Sequence, residues 1–169
     1  MATYTLISSV TVGSGGAANI EFTSIPQTYT DLKILVSGRA DTNNAGDYLL
    51  LNFNSSTSNL SSRTLGAFGP SSTFSGTEST LFINIIPAAT ATANVFGNNS
   101  IYIPNYTSSN FKSGSIEGGF ENNSSSSWFL FMTAGLWSQT AVITSVKLDL
   151  LDGNFIQHST AHLYGISNA

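Results

Sequence analysis

The stretch Thr140–Ile166, TAVITSVKLDLLDGNFIQHSTAHLYGI, decides the fold class. Val142, Val146, Leu148 and Leu150 fall on one side of a period-two pattern, and Ser145, Lys147 and Asp149 fall on the other. Side chains alternate between the faces of a strand, so this is a half-buried strand over a core. Asp152-Gly153-Asn154 supplies turn chemistry, because Gly and Asn accept positive φ at little cost. A further strand over Thr160–Ile166 follows, paired inside a sheet.

The same alternation recurs upstream. Thr3–Val12 places Tyr4, Leu6, Val10 and Val12 on one face. Gly13-Ser14-Gly15-Gly16 then breaks the strand. No Lys and no helical pattern follow it, so it reads as a hairpin loop and not a phosphate loop. Ala18–Phe22 turns Ile20 and Phe22 inward, and Ile25-Pro26-Gln27 makes a corner. Asp31–Arg39 turns Leu32, Ile34 and Val36 inward, and Tyr48–Phe53 does so with Leu49, Leu51 and Phe53. Asn54–Glu78 is rich in Ser, Gly and Thr and reads as a long surface excursion with at most one short strand. Further strand pieces lie at Ile101–Ile103 and Phe111–Phe120. No stretch has sustained helical periodicity. Short strands with regular turn signals predict one all-β domain over residues 1–169, a two-sheet antiparallel sandwich of jelly-roll type.

Ser79–Ile86 and Trp128–Met132 break the pattern, being apolar on both faces. Either the chain itself or a neighbouring subunit must cover the second face. Composition favours a subunit. Only 8% of the 169 residues are charged, net charge is −4, and mean hydropathy is +0.11; an average soluble domain carries about 25% charge. Phe82, Ile86, Trp128, Phe129 and Phe131 are therefore the candidate oligomer-interface residues. Phe129 and Phe131 share one face of their strand; Trp128, Leu130 and Met132 share the other.

Function classes narrow in the same way. Five Lys and Arg build no phosphate-binding stripe, which makes nucleic acid and anionic membrane surfaces poor partners; no nucleic acid and no membrane insertion are expected. No apolar run reaches the ~20 residues of a membrane helix. The N-terminus lacks the basic segment of a secretory signal. There is no cysteine. His158 and His162 lie about 13 Å apart on a strand, too far to share a metal, and Glu117 and Glu121 are as far apart, too far for a glycosidase pair. Asp41, Asn43 and Gly46 match the first half of a calcium loop, but Ala45 and Asn52 occupy two ligand positions; Asp41, Asn43 and Asp47 are the carboxylate and amide groups a calcium ion would meet there. A plain Asn/Gly turn is the expectation there. No Gly-x-Ser-x-Gly elbow is present. The chain is expected to be no enzyme and to hold neither cofactor nor metal.

Two stretches resemble small virion proteins of tailed bacteriophages, particularly of aquatic and cyanobacterial phages. One is FTSIPQTYTDLKILVSGR, Phe22–Arg39; the other runs from Trp137 to Ile166, with Gly153-Asn154-Phe155 and a closing LYGI at Leu163–Ile166. The resemblance implies a β-sandwich or jelly-roll subunit, commonly trimeric, made in the host cytoplasm and carried on the virion. Its partners would be itself, the major capsid protein or other virion proteins. The expected function is capsid decoration or cementing. The alternative is a tail or fibre tip that recognises a host surface glycan. A shaft before the first strand would favour the tip; with the first strand at Thr3, the expectation is a free-standing decoration protein. The family motif assigns no functional residue.

Overall fold

A computed structural model of the chain describes residues 1–69, 72–78, 82–125 and 127–167. Every regular element in it is a strand: β1 (Thr3–Thr11), β2 (Asn19–Phe22), β3 (Asp31–Gly38), β4 (Gly46–Phe53), β5 (Leu60–Phe68), β6 (Ser72–Glu78), β7 (Phe82–Pro87), β8 (Gly97–Ile103), β9 (Lys112–Phe120), β10 (Phe129–Trp137), β11 (Val146–Leu150) and β12 (Thr160–Ser167).

Two antiparallel sheets face each other. One has the order β1-β12-β3-β8-β9-β10-β5-β6, the other β2-β11-β4-β7. Setting aside β5, β6, β9 and β10, the remaining strands interleave as β1-β12-β3-β8 against β2-β11-β4-β7, which is jelly-roll order. The four extra strands form two insertions, between β4 and β7 and between β8 and β11, and both lengthen the first sheet beyond β8.

Alternation explains the core. Leu32, Ile34, Leu148, Leu163 and Phe155 are all fully buried between the sheets, and Ile20, Phe22, Leu49, Leu51 and Phe53 join them. The sequence Thr140–Ile166 crosses the sandwich: β11 lies in the small sheet and β12 in the large one. Two expectations about strand ends are corrected here. Val142 is exposed and precedes β11, while its neighbour Ile143 enters the core. The side chain of Asn54 holds this segment, accepting from the Thr144 and Ser145 amides and donating to the Val142 carbonyl. In β1 the register shifts between Leu6 and Ser8, so Ile7 turns inward with Val10, and Tyr4 and Leu6 face out. A bulge inserts one residue and reverses the alternation beyond it.

The Gly13–Gly16 loop is not a hairpin. It joins β1 to β2 across the two sheets, and Gly16 adopts φ 71 against the Phe155 carbonyl. Nor is Asn54–Glu78 a loop excursion, since β5 and β6 pair with each other over Ser62–Phe68.

The doubly apolar β7 is covered by its own chain. Ile86 packs into the main core, against the face of Gly38, while Ile85 joins a second cluster with Ala91, Phe120 and Phe131. The extended end of the large sheet therefore wraps round the β7 edge and supplies the second face. No helix among the described residues is long and apolar enough to cross a membrane.

Candidate interaction face

The inner side of the large sheet is core, and its outer side is open. Register fixes which residues share that side. One row crosses all eight strands: Ser9, His162, Leu35, Ser100, Glu117, Met132, Leu65 and Ser75. The next row runs Thr11, Thr160, Ser37, Asn98, Gly119, Leu130, Ala67 and Thr73. On the other side stand Leu6, Tyr164, Lys33, Tyr102, Ser115, Ala134 and Arg63. Ten of these twenty-three residues are Ser, Thr, Asn or Gly, and Leu6 and Leu35 stand apart from each other among them. At β5 and β10 the face becomes apolar: Leu65, Leu130 and Met132 are 63%, 60% and 62% exposed.

These three side chains form an apolar ridge: Leu65 and Met132 stand in the lining of a shallow groove of about 490 Å³, and Leu130 stands one row from Met132 on β10. Ser75, Gly76, Ser115 and Ala134 keep the groove low, and Arg63 and Glu117 line it on opposite sides of β10. Burying such a ridge against a partner is worth roughly 25 cal/mol per Å² of apolar area removed from water.

The sequence candidates sort differently. Ile86 and Phe131 are 0% and 3% exposed within the single chain, so neither offers a surface. Phe131 lies on the inner face of β10, ring against Gly66. Phe129 is half-buried and stacks between Phe68 and Phe131, with centroids at 5.8 and 6.0 Å. Trp128 is half-buried just before β10. The Phe82 backbone pairs with Leu51, and its side chain lies outside the described residues. Of the two alternating sets on β10, the set with Leu130 and Met132 is the exposed one.

The acidic loop is a clip. Asp41 accepts from the Asn154 amide at 2.7 Å and from its side-chain nitrogen at 3.1 Å. These bonds hold the Asp41 carboxyl below the usual range. Asp47 accepts from the Thr42 hydroxyl at 2.9 Å. Both carboxylates flank Gly153, where a Cβ would meet Asp41 at 2.7 Å and Asp47 at 3.0 Å. Asn43 is exposed. No group of three or more His, Cys, Asp and Glu that could hold a metal ion occurs among the described residues. His158 sits at φ 74 in the β11–β12 connection, and His162 stands on the outer face of β12, one strand in from the β1 edge.

Two buried cations escaped the sequence reading. Arg39 donates to the carbonyls of Thr92, Val95 and Ala91 at 2.8, 2.9 and 3.0 Å. Lys112 donates from Nζ to Ser108 and Asn110 at 2.7 and 2.6 Å. Burial pushes both cations toward their neutral forms. Both tie loops down through carbonyl dipoles. A third cation, Lys147, pairs with Asp149 at 2.9 Å. The other two of the five, Lys33 and Arg63, stand on the outer face of the large sheet. Nothing in an amino-acid pattern distinguishes a Lys that points inward at a strand start from one that points out.

No family model, curated protein or solved structure matches the chain.

Proposed function

We propose that this chain is a structural subunit that works by surface contact: a decoration or cement protein on the head of a tailed bacteriophage. The open outer face of the large sheet carries this reading. It presents a ridge of Leu65, Leu130 and Met132 in a chain with 8% charge, the profile of a surface that meets protein. The resemblance of Phe22–Arg39 and Trp137–Ile166 to phage virion proteins supplies the setting. Its partners are further copies and the major capsid protein. Catalysis has no part in the proposal.

A second reading, a tail-tip module for a host glycan, draws on the row Tyr164, Lys33 and Tyr102 at the other end of the face. Tyrosine offers an amphipathic ring to a sugar. Reconstruction of the intact virion tests both. Density for this fold on the head lattice, at fixed ratio to the major capsid protein, is the expected result. Density at the tail tip would transfer the function to the second reading, and absence from the particle would end both.

A further inference from the structure

We infer that the ridge on β5 and β10 closes against a second copy of the same chain, face to face about a two-fold axis. This deepens the structural reading above and rests on it. Met132 has Leu65 directly opposite on β5 and Glu117 directly opposite on β9. Ala134, one row along, has Arg63 on β5 and Ser115 on β9. The patch thus carries a cation on one side of β10 and an anion on the other, with apolar side chains between them. From strand spacing and rise, the two charged residues are about 12 Å apart at Cα.

Both charged residues are exposed. Arg63 donates to the carbonyl of Ser62 at 3.2 Å, and Glu117 accepts from the Ser100 hydroxyl at 3.3 Å. Neither makes an ion pair among the described residues. A two-fold axis lying in the interface, crossing β10 at Thr133 and inclined about 35° to that strand, exchanges the positions of Arg63 and Glu117 between the two copies. Arg63 then meets Glu117 of the second copy, and the same contact repeats on the far side. A patch of this kind is its own complement, which an isologous contact requires. The same axis brings Leu130 of one copy over the low β6 side of the other's groove, at Ser75 and Gly76. A glycan suits this patch poorly, because Leu and Met offer no ring to stack on a sugar.

The test is sedimentation velocity on the full chain, with the variants Arg63→Glu, Glu117→Arg and the two combined. The wild type should sediment as a concentration-dependent dimer. Each single swap sets like charges together and should weaken association about ten-fold or more. The double swap restores opposite charges and should bring association back to near the wild-type value. Thermal melts that match the wild type exclude misfolding as the cause, since both positions are exposed. A monomeric wild type, a trimer, or a double swap no tighter than the singles would overturn the two-fold. The virion reconstruction is independent: a monomer found on the head lattice would end the dimer and leave the structural function standing.

Discussion

Phe131 and Met132 are neighbours on one strand and should respond oppositely to truncation. Phe131 is 3% exposed, stacks on Phe129 and packs with Ile85 and Phe120, so Phe131→Ala removes nearly a whole buried ring. Gly66 lies beneath that ring, a hypothetical Cβ being 2.4 Å from Phe131 Cδ1, so β5 has no side chain there to relax into the hole. The expected loss is about 3–5 kcal/mol, at the upper end of that range because the site collapses poorly. Domains of this kind have about 5–15 kcal/mol in total. With a urea m-value of about 2 kcal/mol/M, the midpoint should fall by roughly 1.5–2.5 M. Met132→Ser removes an exposed side chain and should change stability by no more than about 0.5 kcal/mol. Both are measured by urea titration at low protein concentration, where coupling to self-association adds little. Equal losses for the two variants, or a loss under about 1 kcal/mol for Phe131→Ala, would refute the assignment of faces on β10.

Two further outcomes follow from buried polar groups. Burial raises the Tyr106 hydroxyl, which donates to the Pro26 carbonyl. A raised folded-state value means stability is full below the ordinary tyrosine value of about 10 and falls as pH climbs through the folded one; Tyr106→Phe should cost about 1–3 kcal/mol at neutral pH and flatten that decline, as read by denaturant titration from neutral to alkaline pH. Asp41→Ala removes the two bonds to Asn154, so the melting temperature should drop while chelator leaves the wild-type melt unchanged; a sharp fall in chelator would place a cation between Asp41 and Asp47.

The jelly-roll strands were legible because each carries its apolar residues at period two, and Leu32, Ile34, Val36, Leu148 and Leu150 all point where that pattern sends them. β5 and β6 were not. The inward side of β5 is Leu60, Ser62, Thr64 and Gly66, and Thr64 meets Thr133 of β10 through a hydroxyl contact at 2.9 Å. A strand whose inner face is small and polar has no hydrophobic alternation to read. The apolar second face of β7 was visible, but its cover was not, because the covering strands come from inserted segments distant in sequence. The exposed ridge was half legible: the sequence isolated Trp128–Met132 as a strand with two apolar faces, and only the register with β5 decides between them.

The neighbours of β3 carry a consequence for how the chain reaches this state. β3 pairs with β12 on one side and β8 on the other, and β1 pairs only with β12. Neither central pairing of the N-terminal strands can form until far later segments exist. Loop closure precedes the reward of such contacts, so β topologies of this order fold on the slow side, in roughly milliseconds to seconds. During synthesis, β3 emerges with both edges unpaired until β8 exists, and β1 has no partner until β12. The scarcity of charge in the chain leaves these waiting strands with little electrostatic protection against pairing with another chain.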